Sequence, residues 1–391
     1  MLTAEYDFAF PEDQIALRPA PRGEARLMVV PKMGRLPENF PLPVEKEGWA
    51  FGKASDLIRI LKAGDALALN DTKVLRARLH GRRVMGEGEE DKEAGKTSLR
   101  AAGNLNGLAG KDETKTAAAC EVLLLKPRHH ADSDGSAALW ECLAKPGRKL
   151  TPGKRVEFAA GFSAIVVEVL PEGERVLHFN LGGGAFFEKL EEVGEIPLPP
   201  YIRRDADAAD AETYQSVFAQ NLGSVAAPTA SLHFTSEILE EIQHNGVSLA
   251  KLTLHVGAGT FRPVQTEQAE DHPMHSEAYS LSYETADILN GVRKTGGRIF
   301  AVGTTAARVL ETCGDESGLL HAGSGETRLF IRPGYDWKSV DALLTNFHWP
   351  KSTLFMLVAG MMGLERAQAA YAEAIRRGFR LFSYGDAMLI L

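Results

Sequence analysis

Four stretches of this chain bring together residue types able to do proton-transfer or ligand-binding chemistry. In LTLHVGAGTFRPV, from Leu252, the apolar Leu252, Leu254 and Val256 alternate with Thr253 and His255, as a strand requires. His255 then falls at a carboxyl end, where open α/β sheets bind ligands, and Gly257 and Gly259 let backbone approach a ligand closely. A structural histidine beside a glycine turn gives the same pattern. In RIFAVGTTAARVLET, from Arg298, a strand meets a helix starting near Thr305, with Thr304 as N-cap. Such a helix start favours a carboxylate or phosphate, or simply joins strand to helix. In HPMHSEAYSLS, His272, His275 and Glu277 suit acid–base work or substrate clamping. Pro273 keeps the two histidines off one helical face, which speaks against a metal site. In LLTNFHWPKSTLFMLVAG, the polar Asn346, His348, Lys351, Ser352 and Thr353 sit at a helix entrance, with Lys351 and Ser352 in its first turn after Pro350. Capping by Ser352 or Thr353 is the plainer reading.

A fifth set is basic. Lys73, Arg76, Arg78, Arg82 and Arg83 crowd one strand-like run, Arg148 and Lys149 lie in KPGRKLTPGKR, and Arg203 and Arg204 are adjacent. These are candidates for phosphate contacts, against a default of solvated surface. The whole chain has 391 residues and a net charge of −8, so any nucleic acid would meet a local basic patch on an acidic body.

The elements that must position these groups change along the chain. The first ~65 residues mix extended pieces with one helix (SDLIRILK). From Asp65 to about Leu181, short β-like runs separated by turns (ALALN, VLRARLHG, EVLLLK, LWECLA, RVEF, SAIVVEV, RVLHFNL) predict a small antiparallel barrel or sandwich. Within it, Met85–Ala119 is too polar to bury, and RHHADSDGSAA from Arg128 reads as a hairpin tip. After Gly182, helical segments (AFFEKLEEVG, AETYQSVFAQ, TSEILEEIQHNG, YETADILNGVRKTGG, LERAQAAYAEAIRRG) alternate with strands that include RIFAVG, RLFIRP and AMLIL, which predicts an α/β layer. The expectation is an α/β domain of residues 1–65 with 183–391, interrupted by a β-barrel domain of residues 66–182 that carries a polar excursion at about 85–119.

The chain has 44% hydrophobic residues and three scattered cysteines, Cys120, Cys142 and Cys313. That composition argues against a disulfide framework or a structural zinc site and suits a reducing compartment. The apolar LFMLVAGMMGL from Leu354 is about half a membrane span, so a buried helix is expected. The N-terminus lacks a signal-peptide core. A cytoplasmic protein without membrane attachment is expected.

Several long strings resemble the S-adenosylmethionine:tRNA ribosyltransferase-isomerase family of queuosine biosynthesis. They are NDTKVLRARL from Asn70, GEIPLPPYIRR from Gly194, GSVAAPTASLHFT from Gly223, LTLHVGAGTFRPV, MHSEAYSLS, GGRIFAVGTTAARVLE, LLTNFHWPKSTLFMLVAG and FSYGDAMLIL. Only the 85–119 excursion and the Arg128 tip stand outside the likeness. Ser231 replaces a usual glycine, Trp349 a usual leucine, and Arg328 stands where an acid is expected. The resemblance implies an α/β domain with an inserted small β-barrel. It also implies transfer and isomerisation of the ribosyl moiety of S-adenosylmethionine onto 7-aminomethyl-7-deazaguanine at the wobble position of tRNA, giving epoxyqueuosine-tRNA, adenine and methionine. S-adenosylmethionine is then a consumed co-substrate and no cofactor is needed; a monomer is expected. The resemblance places candidates in matching motifs: His255, His275 and Glu277 for proton transfer; Asn346, His348 and Lys351 for positioning the donor; Ser224, Thr229, His233 and Thr235 for lining the pocket. Gly257 and Gly259, with Thr304 and Thr305 at the helix start that would suit the methionyl carboxylate, complete the substrate set. Lys73, Arg76, Arg78, Arg148, Lys149, Arg203 and Arg204 are the tRNA candidates. Two other readings stay open: a small-molecule S-adenosylmethionine-dependent transferase without an RNA partner, and a non-enzymatic nucleic-acid-binding β-barrel protein.

Overall fold

The computed structural model describes residues 1–84, 118–128, 138–257, 259 and 263–391. The expected excursion, all but Ala118 and Ala119, and residues 129–137 of the expected hairpin tip lie outside the described residues. The chain forms two compact units, Met1–Val74 with Leu198–Leu391, and Leu75–Pro197.

The second unit is a closed barrel of six antiparallel strands: Arg175–Phe179, Leu139–Lys145, Ala118–Arg128, Arg78–Arg83, Arg155–Glu157 and Ser163–Val169 in spatial order. Alternation sends one side of each strand inward, and Leu79, Val122, Leu124, Cys142, Val156 and Leu177 are buried there. The helix Gly183–Val193 stacks Phe186 on Trp140, with ring centroids 5.5 Å apart, and sets it edge-on to Phe179 at 5.1 Å. This packing moves the expected boundary at 183 to about 197, because the helix shares the barrel's core.

The first unit is built on a nine-stranded mixed sheet. Its order is Gly323–Thr327, Glu277–Leu281, Ser248–Leu254, Ala66–Asn70, Ile299–Val302, Ala342–Asn346, Ala387–Ile390, Arg26–Val30 and Ala50–Lys53. The expected boundary at 65 is therefore also corrected. ALALN lies in the middle of this sheet, parallel to both neighbours, and all five of its residues are buried. A strand covered on both faces reads as an unbroken apolar run rather than an alternating one.

Alternate residues feed two cores. Met28, Val30, Ala66, Ala68, Ile299, Ala301 and Leu343 join one core with helices Tyr283–Lys294, Thr304–Cys313, Thr353–Met362 and Leu364–Arg376. Leu27, Val29, Leu67, Leu69, Phe300, Val302 and Leu344 join the other with Leu57–Ile60 and Ser236–His244. The apolar stretch from Leu354 is the expected buried helix, capped by Ser352, whose Oγ accepts from the Phe355 N–H at 3.1 Å.

Two other expected elements fail for local reasons. RLFIRP is not a strand: the preceding strand ends at Thr327, and the Arg308 guanidinium takes the Leu329 carbonyl that a neighbouring strand would need. The helix expected over 211–220 stops at Thr213, beyond which the Gln215 amide accepts from the Val74 N–H and donates to the Val74 carbonyl.

Strands Ser248–Leu254, Ala66–Asn70, Ile299–Val302 and Ala342–Asn346 are mutually parallel, so their carboxyl ends share one edge. At the opposite edge, the buried Asp65 receives the Arg298 guanidinium at 2.6 Å and the Arg298 and Lys62 N–H groups at 3.1 and 2.9 Å. Asp65→Ala strips those donors of their acceptor, and we expect a loss of about 2–4 kcal/mol in urea unfolding.

Candidate active site

At the carboxyl edge, Asn70 is fully buried and its amide is saturated. Oδ1 accepts from the Leu254 and Thr72 N–H groups at 3.0 and 3.2 Å, and Nδ2 donates to the Leu254 carbonyl and Thr305 Oγ1 at 3.0 and 3.1 Å. One side chain thus fixes the ends of two strands and the start of the Thr304–Cys313 helix. Asn70 was not among the expected site residues. The available signal was a polar residue closing an otherwise apolar buried strand.

Beside it, Thr72 Oγ1 lies 2.8 Å from His255 Nδ1. The imidazole presses on Gly223, where any Cβ would come within 2.8 Å of the ring, so that position requires glycine. Burial pushes the His255 pKa down, opposed by the charge of Asp71, which leaves the ring neutral at pH 7 with one nitrogen lone pair. Ser224 is structural: its Oγ accepts from the Val256 N–H at 2.8 Å and donates to the Ala226 carbonyl at 2.8 Å.

A pocket with about 720 Å³ of empty space, open solvent included, lies at the same edge. It gathers Thr229, Thr304, Thr305, Asn346 and His348 of the expected set. Its aromatic wall was not foreseen. Tyr201 stacks on Trp349 with centroids 5.6 Å apart, and Phe382 lies 4.7 Å from Trp349. The Tyr201 hydroxyl bonds Ser383 Oγ at 2.6 Å, and burial pushes its pKa up. His348 Nε2 lies 2.7 Å from Thr345 Oγ1, and the His348 N–H donates to the Tyr371 hydroxyl at 2.9 Å. Burial pushes the His348 pKa down to about 3, so it is a neutral hydrogen-bonding group. His233 is likewise pushed down by burial to about 4, opposed by the charge of Asp386 and a side-chain hydrogen bond with Asn346. The N-cap of the Thr304–Cys313 helix is Gly303 rather than Thr304, and it offers no side-chain cap.

A second cavity, with about 460 Å³ of empty space, holds Gly259, His272, His275 and Glu277 and shares Leu354 with the first. His275 packs on Gly259, where a Cβ would overlap the ring. Glu277 is buried in an ion pair with Arg308, and its Oε1 accepts from the Gly257 N–H at 2.9 Å. It holds the glycine turn, a role the spacing did not indicate. Among the described residues, no three His, Cys, Asp or Glu side chains converge as a metal site would need.

The other expected residues stand apart. Thr235 caps the Ser236–His244 helix. Lys351 precedes its helix with φ 55° instead of joining the first turn, and its Nζ pairs with Asp7 at 2.8 Å. The basic clusters are partly neutralised: Arg76 pairs with Glu191, Arg78 with Glu121, Arg203 with Glu12, and Arg204 binds buried Asp210 through two bonds of 2.6 Å. Lys73 and Arg148 are exposed without an ion pair among the described residues. Of the departures from the family pattern, Trp349 lines the pocket, Ser231 is buried next to the lining residue Ala230, and Arg328 is exposed.

Sheet and pocket together have the form of an α/β protein with a small-molecule site at the carboxyl edge of its parallel strands. A family model described as queuosine biosynthesis protein matches residues 3–390. Relatives from two strains of Clostridium kluyveri, both named S-adenosylmethionine:tRNA ribosyltransferase-isomerase, are 44% identical over 393 residues, covering 100% of both chains. A crystal structure of S-adenosylmethionine tRNA ribosyltransferase from Thermotoga maritima shares 30% identity, covering 99% of this chain and 100% of that one, with a TM-score of 0.49. The chain belongs to the queuosine biosynthesis family, and it is a transferase and isomerase of that pathway.

Two outcomes follow from the site's electrostatics. Glu277→Gln leaves the Arg308 cation buried without its counter-charge and should lower unfolding stability by about 3 kcal/mol. His348 and His233 bind protons more weakly folded than unfolded. Stability should therefore fall as pH drops below about 6.5, at up to about 1.4 kcal/mol per pH unit for each histidine. Urea melts between pH 7 and 5 should show a shallower slope for His348→Gln.

Proposed function

We propose that this protein transfers and isomerises the ribosyl moiety of S-adenosylmethionine onto 7-aminomethyl-7-deazaguanine at the wobble position of tRNA. The products are epoxyqueuosine-tRNA, adenine and methionine, and S-adenosylmethionine is a consumed co-substrate with no further cofactor. The observation that carries the reading is end-to-end identity of 44% to relatives bearing that name, in a chain whose sheet edge opens into an aromatic-walled pocket.

The sulfonium acidifies the adjacent 5′ C–H, so a base can remove that proton. Adenine then departs, the sugar opens, and the exocyclic amine of the tRNA base attacks. Neutral His255, oriented by Thr72, supports the role of base. His275, in the adjoining cavity, suits proton delivery to the leaving purine, and Glu277 positions the glycine turn between them. The aromatic wall excludes water from a reactive intermediate. Lys73 and Arg148 are the exposed cations best suited to phosphate contacts, joined by Lys149 beside Arg148 in sequence. Arg203 and Arg204 would first have to release their carboxylates. A monomeric, cytoplasmic enzyme completes the proposal; three free, buried cysteines suit a reducing compartment. Among the described residues, no helix is long and apolar enough to cross a membrane.

The test is adenine release from S-adenosylmethionine with tRNA that carries the deazaguanine precursor. Release that depends on this tRNA is expected; no release, or equal release without RNA, rejects the reading. His255→Ala should cut turnover about 10²–10⁴-fold with an unchanged thermal melt. Because its pKa is lowered, the acid limb of the wild-type kcat/KM profile should lie below pH 6.5. Near-normal turnover in the variant would remove His255 as the base.

A further inference from the structure

The pocket wall has one member in an unfavourable backbone conformation. Phe382 lines the pocket with φ 70°, in the left-handed region that a residue with a Cβ disfavours. Such backbone persists only where its surroundings over-determine it, and it gathers at functional sites. Several bonds hold the turn. The Phe382 N–H donates to the Phe347 carbonyl at 3.1 Å, and the Gly385 N–H donates to the Phe382 carbonyl at 2.9 Å. Asn346 Nδ2 donates to the Phe382 and Ser383 carbonyls at 3.1 and 3.4 Å. The next two side chains then reach outward. Ser383 Oγ bonds the Tyr201 hydroxyl at 2.6 Å, and the Tyr384 hydroxyl donates to Asp210 Oδ1 at 2.8 Å.

The last of these anchors lies outside the lining. Asp210 is fully buried and accepts four bonds: two from the Arg204 guanidinium at 2.6 Å, one from the Asp207 N–H at 2.9 Å, and the one from Tyr384. Arg204 in turn commits four of its five N–H groups, two to Asp210 and one each to the Leu17 and Asp205 carbonyls at 3.1 and 2.9 Å. A guanidinium so committed has little left for an RNA phosphate, and withdrawing it would strand a buried carboxylate.

We propose that Arg204, Asp210 and Tyr384 form a positioning chain for the donor pocket. The buried carboxylate pins the Tyr384 hydroxyl, and that pin keeps Phe382 left-handed, with its ring against Trp349 and Tyr201 at 4.7 and 5.1 Å. Without the pin the backbone relaxes to negative φ, and the Phe382 ring and the Ser383–Tyr201 contact leave their places. Arg204 then serves S-adenosylmethionine rather than tRNA. The assignment rests on the reading of this pocket as the donor site, and adds to it residues that do not touch the ligand.

Calorimetry on the intact protein tests this, with S-adenosylmethionine and with tRNA carrying the deazaguanine precursor as titrants, well below the melting transition. Tyr384→Phe deletes one hydroxyl and keeps a ring edge-on to Tyr214, at 5.6 Å in the wild type. It should weaken S-adenosylmethionine about five- to tenfold and leave tRNA affinity unchanged. In turnover assays the donor KM should rise while kcat holds. Arg204→Lys keeps the charge but loses the two-pronged grip, and should act in the same way. If Tyr384→Phe does not fold, Arg204→Lys decides alone. A purely structural chain would lower the melt and leave donor affinity at the wild-type value, and that result in a folded variant overturns the proposal. Weaker tRNA binding by Arg204→Lys with donor affinity unchanged also overturns it, and returns Arg204 to the RNA surface. Wild-type protein that binds no S-adenosylmethionine overturns the donor reading itself; wild type and variants that bind it equally overturn only the chain.

Discussion

The site depends on one carboxamide. Asn70 ends a strand buried on both faces, where an unmatched polar group would cost about 1–3 kcal/mol. It meets both polar groups of Leu254, the Thr72 N–H and the Thr305 hydroxyl. Because two strand ends and a helix start share these bonds, none can shift without breaking another. The imidazole of His255, the helix entrance at Thr304 and the backbone that carries Val256 into the pocket all take their places from that arrangement.

Around this clasp, four buried carboxylates are tied to structure: Asp65 on Arg298, Asp210 on Arg204, Glu277 on Arg308, and Glu311 on the N–H groups of Ser339 and Val340. Among the described residues, the pocket is lined by rings, aliphatic groups, hydroxyls, an amide and a neutral imidazole. Dipoles fixed in this way need no reorganisation when charge develops nearby.

Much of this was legible in the sequence. The motifs that begin at Leu252, Arg298 and Leu343 do fall at the carboxyl edge, because apolar runs followed by glycine or a cap mark strand ends directly. What was not legible depends on partners far along the chain. ALALN reads like its barrel neighbours because a fully buried strand has no alternation to distinguish it. RLFIRP has strand composition, but Arg308, 21 residues before Leu329, occupies the Leu329 carbonyl. The basic runs suggested phosphate contacts, and Glu191, Glu121 and Glu12, which pair with Arg76, Arg78 and Arg203, are separated from them by spacings no local pattern reveals. The aromatic wall draws Tyr201, Trp349 and Phe382 from three separate segments, and only the tertiary fold assembles it.

Leu354 borders both cavities. Its side chain is a branched aliphatic at the head of a buried helix, and it is the one lining residue the two cavities share among the described residues. Trimming or enlarging it reshapes both cavities at once while removing no side-chain hydrogen bond from either polar framework.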